Sequence, residues 1–454
     1  MTTLRLIAPF RVDFTMLPGA ADRDPEGYRT LWERAESALA GSSLARLGGI
    51  HLPHRSSRGT GSQYDLLDVD SLERTLHVAE IHVDLASYRE FADPELSERT
   101  RTMSVLLFEH GVALLEIDLD PGPRPSDAGA HATQHWLDEL QADGIRIAEA
   151  AASRLSECMV VPLAETLRRI DRRHEIVRAA ETQSDDGSAM WVSRALLVAP
   201  EDRVLLDHWT RGAVNAADRS ARQELIEGDR DSLVRWLNYA FVDTDNRDGA
   251  ALTHGRFAAE WRGLRYAQAM YASLDRIDSR LSRVLALAAA AQQRWQLEAL
   301  RRDLVELSNR AEMIVMQRHA LAKYLPREVR ASFDEILAAW EYGSLLEDPV
   351  RFKVDLCNRR LDDLAAKRTA RAGVVTDLIL LGIGVTSIAS IALAITEFGR
   401  NSGGDPGATA YDLGASGITT WFATQPIDVI LMASGVASLV LVALYLYFRR
   451  DDRG

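Results

Sequence analysis

Two stretches near the end of the chain limit what it can fold into more than any motif before them. Leu378–Thr396 and Val429–Phe448 run for 19 and 20 residues without a charged side chain. At about 1.5 Å rise per residue, each is long enough as a helix to cross a hydrocarbon core of about 30 Å. The flanks predict an orientation. Lys367, Arg368 and Arg371 precede the first stretch, and Arg449, Arg450 and Arg453 follow the second. Between them, Glu397–Asp428 sets Arg400 against Glu397, Asp405, Asp412 and Asp428. Basic residues stay on the cytoplasmic side of a bilayer. The expectation is therefore a multi-pass protein of the inner (plasma) membrane, with both termini cytoplasmic and an acidic outer loop. Trp421 and Phe422 fall near the outer interface, and Tyr445, Tyr447 and Phe448 near the inner one.

The residues before this hairpin read differently. Met1–Met16 has no basic region followed by an apolar run, so no signal peptide is expected. Cys158 and Cys357 are isolated, which argues against disulfides and zinc sites. A net charge of −13 argues against a nucleic-acid partner and is compatible with cation binding or with plain solubility. Residues 1–250 are predicted to form an α/β domain. Leu4–Phe10 and Leu76–Leu85 have strand patterning, and Met103–Phe108 and Val112–Ile117 flank Glu109-His110-Gly111 as a hairpin whose glycine supplies a positive φ. Met190–Ala199 and Arg203–Trp209 read as a second hairpin around Pro200-Glu201-Asp202. His131–Glu181 and Asn215–Glu227 have helical spacing, and Trp236–Val242 reads as a strand.

From His254 the pattern changes to long helices. Leu274, Ile277, Leu281, Val284, Ala288, Ala291 and Trp295 step by threes and fours. After a phase shift the stripe resumes at Leu300, Leu304, Leu307, Ala311, Ile314 and Leu321. This predicts one helix of roughly 70 residues ended by Pro326. A shorter helix over Val329–Leu345 follows, and then a continuous helix from Val350 into the first apolar stretch. The expected fold class is α+β in three parts: an α/β domain (1–250), a long-helix stalk (251–372) and a transmembrane hairpin (373–449). The hairpin has spans near 374–396 and 428–448 and an outer loop at 397–427.

This order resembles the CorA family of two-span divalent-cation channels, whose members carry an aromatic-G-M-N motif directly after the first span. Phe398, Gly399 and Asn401 stand at the motif's aromatic, glycine and asparagine positions, with Arg400 in place of methionine. Tyr447-Phe448-Arg449-Arg450 is similar to the family's aromatic-then-basic ending. The resemblance implies a homo-oligomer, pentameric by analogy, that lines a pore with its first span. A ring of Arg400 side chains would repel a divalent ion at the outer mouth unless paired. At 100° per residue, Asp377, Gly384, Ile388, Ile391 and Ile395 share one face of that span, giving an acidic ring below a hydrophobic constriction. Gly382, Thr386, Ser390 and Ala394 form a small-residue stripe suited to close packing.

Other constellations have plainer readings. Asp243, Asp245, Asp248 and Gly249 resemble a calcium loop, but Arg247 occupies a ligand position and no Glu follows at the required offset. His51 and His54 lack further ligands nearby. The run Arg168, Arg169, Arg172, Arg173 reads as a solvated helix face able to bind an anionic nucleotide. There is no P-loop, G-x-S-x-G or H-E-x-x-H pattern, so no catalytic site and no resident cofactor is expected. A divalent cation such as magnesium enters only as cargo or regulator. Two functions follow. The first is a CorA-like channel or transporter for inorganic cations, gated by a small-molecule ligand of the cytosolic domain. The second is a membrane-tethered sensor or effector, as in a bacterial conflict system, built on the same frame. The partners expected are a lipid bilayer and further copies of the chain.

Overall fold

The computed structural model describes residues 2–17, 24–40, 48–51, 77–90, 98–123, 130–173, 176–179, 187–211, 216–235, 237–243, 252, 255–290, 294–360 and 363, and scattered positions between 380 and 440. It divides into two compact units, Met1–Cys357 and Asn358–Gly454.

The first unit opens with β1 (Thr3–Arg11) and β2 (Phe14–Met16), then α1 (Pro25–Leu39), β3 (Gly48–His51), β4 (His77–Val83) and α2 (Leu85–Arg89). β5 (Thr100–Phe108) and β6 (Val112–Leu119) lead into α3 (Ala130–Leu155), which passes through a π-helical turn at Ser156–Val160 into α4 (Val161–Ile170). β7 (Val177–Ala179), β8 (Ser193–Val198), α5 (Arg203–Trp209), α6 (Ala216–Glu227), β9 (Ser232–Val234) and β10 (Asn238–Val242) follow. Three long helices come last: α7 (Ala258–Ala290), α8 (Arg294–Tyr324) and α9 (Arg327–Ala339).

Eight of the described strands form one sheet in the order β3-β4-β5-β6-β1-β8-β10-β9, and β2 pairs with β7 as a separate ribbon. Neighbours are antiparallel except β8 and β10, which run parallel. β1 lies in the middle, so its residues from Thr3 to Phe10 are all buried. Leu4, Leu6, Ala8 and Phe10 share one face with Leu115, Ile117, Leu196 and Val198 in a core covered by α1, α3 and α4. The other face, carrying Arg5 and Ile7, is covered by α7, which contacts both β1 and β6. The result is a helix–sheet–helix sandwich that leaves almost no water-facing sheet surface.

The first hairpin is as expected. β5 and β6 pair in register from Phe108↔Val112, and Gly111 holds φ +76°. A Cβ there would lie 2.5 Å from an Arg276 guanidinium nitrogen and 3.1 Å from the Phe14 carbonyl oxygen, so glycine is required twice over. The second expected hairpin is absent. Pro200–Asp202 is a 3-10 turn that starts helix α5. Its residues bury in a helical pattern, with Leu205, Leu206 and Trp209 inside and Val204 exposed, which strand alternation does not allow. Helix also stops short of Glu181. α4 ends at Ile170, and the Asp171 carboxylate accepts from the backbone N–H groups of Ile176 and Val177 as the chain turns into β7.

The expected 70-residue helix is two helices folded back on each other. Ser273 of α7 and Gln317 of α8 border the same small cavity beside His110, although a straight helix would hold them about 66 Å apart. Leu281 and Val284 of α7 and Leu304, Leu307, Ala311 and Ile314 of α8 are buried in this hairpin. α9 packs on α7 at Gly263, where a Cβ would meet the Phe333 and Val329 backbone at 2.9 and 3.0 Å. After α9, Glu341 takes φ +50° and a π-helical turn at Gly343–Glu347 leads into helix over 348–360.

In the second unit the expected membrane hairpin is overturned. Among the described residues no helix is long and apolar enough to cross a membrane. A span needs about 20 consecutive apolar helical residues. The transmembrane part of the expected fold class and the multi-pass membrane location are corrected on that finding. The first unit, a mixed α/β body, is what the structure supports.

Candidate functional site

Helix α8 presents three faces. Leu304, Leu307, Ala311 and Ile314 pack inward. Beside them run two rows at four-residue spacing, Arg301-Val305-Asn309-Met313 and Arg302-Glu306-Arg310, which the helix brings onto a common surface. The β2–β7 ribbon lies opposite. Its register sets Met16 against Val177 and Thr15 against Arg178, and the Leu17 N–H donates to the Ile176 carbonyl at 2.8 Å. Between ribbon and helix is a groove of about 610 Å³. Its cationic walls are Arg178, Arg301, Arg302 and Arg310, and its apolar surface is Met16, Leu17, Val305 and Met313.

The groove's charge is unbalanced. Glu306 is its one carboxylate among the described residues. It pairs with Arg310 within the helix and reaches Arg178 across the groove at 3.9 Å. Neither Arg301 nor Arg302 is paired with a carboxylate among the described residues, and both are exposed. Arg310 is largely buried. Burial lowers its pKa below the usual arginine range, and repulsion from Arg280 and Arg178 adds to this against the attraction of Glu306. Several like charges are thus held close together with too few counter-charges, an arrangement that favours an incoming anion.

Beneath α7 the arginines are matched. Arg265 makes a two-pronged ion pair with Glu116 at 2.5 and 2.7 Å. Arg5 grips Asp118 in the same way and stacks 5.2 Å over the Trp261 ring. Asp118 also accepts from the Thr102 hydroxyl at 2.7 Å. Burial raises the Glu116 pKa, but Arg265 and Arg5 outweigh it and hold the carboxyl below its ordinary value. Gln268 accepts from Trp191 Nε1 at 2.6 Å and donates to the Ser193 hydroxyl. Arg276 donates to the carbonyls of Val12, at 2.8 Å, and Gly111. These contacts fasten α7 to the sheet.

A third cluster sits at the β5–β6 turn. His110 Nε2 donates to the Gln317 carbonyl oxygen at 2.6 Å, and the Gln317 amide nitrogen donates to Glu109 at 3.4 Å. Burial pushes the imidazole pKa down to about 4, against the Gln317 hydrogen bond and with help from Arg310. The adjoining cavity is only about 10 Å³, room for no more than a water.

The residues singled out from the sequence fall elsewhere. Gly384 and Ile391 are helical and exposed. Asp377, Ile388, Ile395 and the motif Phe398, Gly399, Arg400 and Asn401 lie outside the described residues. Of the basic run, Arg168 is engaged by Asp13, while Arg169, Arg172 and Arg173 lie near the end of α4 and are not among the described residues lining the α8 groove. His51 is in β3 and Asp243 follows β10, while His54, Asp245, Asp248 and Gly249 lie outside the described residues. Both cysteines are free, and burial pushes the Cys357 thiol pKa up. Among the described residues no group of three His, Cys, Asp or Glu side chains is placed to hold a metal ion.

No family model matches the chain, and neither does any curated protein or solved structure. The resemblance to the CorA family therefore has no support beyond the order of its sequence features.

Proposed function

We propose that the first unit is a ligand-binding body whose α8 groove takes a small anionic molecule, so that the protein acts as a sensor. The observation that carries this reading is the charge imbalance in the groove, where Arg178, Arg301, Arg302 and Arg310 stand against Glu306 as the one carboxylate among the described lining residues. Guanidinium groups suit this task because they stay charged and present a planar fork to phosphate or carboxylate oxygens. The lining supports binding over catalysis. It offers guanidiniums, one amide, one carboxylate and apolar side chains, and no hydroxyl, thiol or imidazole among its described members.

Isothermal titration with pyrophosphate as the probe tests the reading. The intact protein should bind it, and a variant carrying Arg301→Ala and Arg302→Ala should bind at least about tenfold more weakly, since charge-assisted hydrogen bonds contribute about 1.5–3 kcal/mol each before solvent screening reduces them. Equal affinity in the two proteins, or no binding to either, rejects the groove as an anion site.

A further inference from the structure

Glu306 is the residue that the anion reading leaves unexplained. It stands in the middle of the cationic row, Arg302-Glu306-Arg310, and is the only acidic side chain lining the groove among the described residues. It binds one wall through Arg310 and the other through Arg178, so one carboxylate links α8 to β7. The side chain is 45% exposed and forms no part of the helix-packing core, so its position is not a requirement of the fold. A tethered carboxylate in that position occupies the guanidiniums that a ligand would use. It competes with every incoming anion, and its attachment to the chain gives it a high local concentration.

We infer that Glu306 is a built-in competitor that restricts the groove to organic phosphates carrying two or more negative charges, with the diphosphate class favoured. This deepens the ligand-binding reading and rests on it. A monocarboxylate offers Arg178 and Arg310 no more than Glu306 already supplies, so it gains little by displacing it. A diphosphate offers several oxygens in two tetrahedral groups. It satisfies Arg178 and Arg310 and reaches Arg301 and Arg302 as well, which Glu306 leaves unpaired. The organic part of the molecule has a surface to rest on in Met16, Leu17, Val305 and Met313. Two of these are methionines, whose flexible thioether chains adapt to planar or irregular groups. Displacing Glu306 also breaks its bridge to Arg178, so occupancy of the groove is coupled to the contact between the ribbon and α8.

The experiment uses the full chain and its Glu306→Gln variant, titrated with acetate, inorganic phosphate, pyrophosphate, ADP and adenosine. For the unaltered protein the expected order is ADP tightest, then pyrophosphate, then phosphate, with no measurable binding of acetate or adenosine. Removing the competitor should tighten phosphate and pyrophosphate by about threefold to tenfold, as expected when a largely occupied site is freed, and should narrow the gap between them. Because Glu306 is half-exposed on a helix surface, the glutamine variant should fold, and Glu306→Ala serves as a second variant with the same expected direction. If the unaltered protein binds pyrophosphate and both variants bind it equally or more weakly, the competitor role is overturned while the groove reading stands. If none of the proteins binds any of the anions, the groove reading fails and the competitor role fails with it.

Discussion

Between the sheet and α7, Arg5 faces Asp118 and Arg265 faces Glu116 in two-pronged pairs, whereas in the groove beside α8 Glu306 pairs with Arg178 and Arg310, and Arg301 and Arg302 have no carboxylate partner among the described residues. Both regions belong to one body and use the same side chain. They differ in what becomes of the charge. In the buried seam Arg5 and Arg265 each meet a carboxylate in a two-pronged pair, because an unmatched charge there would carry the full cost of desolvation. In the groove water still reaches Arg301 and Arg302, so the chain can hold cations together without supplying counter-charges. Matching marks a structural region, and on the reading proposed above a mismatch near solvent marks a ligand site.

The largest test of this contrast is Arg265→Ala. It strands the Glu116 carboxylate in the interface and should cost about 3–5 kcal/mol in chemical denaturation. Its pH dependence has a definite sign. The folded pKa of Glu116 lies below its ordinary 4.5, so the pair contributes full stability above that pH and loses it as pH falls through the folded value. The Arg265→Ala variant should lack this acid-side loss. Next is Gly111→Ala, which forces a positive φ and a clash with Arg276. It should lower stability by about 2–3 kcal/mol and loosen the anchoring of α7.

His110 should have a smaller effect. Its folded pKa of about 4 lies below the ordinary 6.5, so the unfolded chain binds more protons between those values. Stability should then fall as pH drops from 6.5 towards 4, with a slope of at most about 1.4 kcal/mol per pH unit. His110→Gln should flatten that slope in thermal denaturation at a series of pH values. Smallest of all is the double change Arg301→Ala with Arg302→Ala, which should move stability by no more than about 0.5 kcal/mol because neither side chain is paired with a carboxylate among the described residues.

Much of the first unit could be read from local pattern. β1, β4, the β5–β6 turn with its glycine, α6 and β10 all follow from alternation, helical spacing and turn chemistry within a few residues of each other. Failures came where local and tertiary signals diverge. Arg203–Trp209 carries enough large apolar residues for a strand, but Leu205, Leu206 and Trp209 find their core only on a helix. Leu274, Ile277, Leu281, Val284, Leu304, Leu307, Ala311 and Ile314 of the expected stripe are buried, but they lie on two helices, one ending at Ala290 and the next starting at Arg294, where sequence alone read a continuing rod. The apolar stretches of the second unit have the composition of spans, yet no described helix there has the length.

The groove was only half legible. Once Leu304, Leu307, Ala311 and Ile314 define the buried face, the rows through Arg301 and Arg302 follow from the helical repeat. Arg178 does not, because only the β2–β7 pairing carries it to α8. The buried seam was hidden for a similar reason. Glu116 and Asp118 look like solvent-facing residues of an alternating strand until α7 is laid across them.

The contrast between satisfied and unsatisfied arginines is tested most directly by thermal unfolding with and without pyrophosphate in three proteins: unaltered, Arg265→Ala, and the Arg301→Ala, Arg302→Ala double variant. A ligand that binds only the folded state at 100 times its Kd adds about 2.7 kcal/mol of stability. Arg265→Ala should start from a lower Tm and keep the full pyrophosphate-induced rise, while the double variant should start from the unaltered Tm and lose the rise. A double variant that keeps the rise, or an Arg265→Ala protein that loses it while still folding, would contradict the assignment of the two regions.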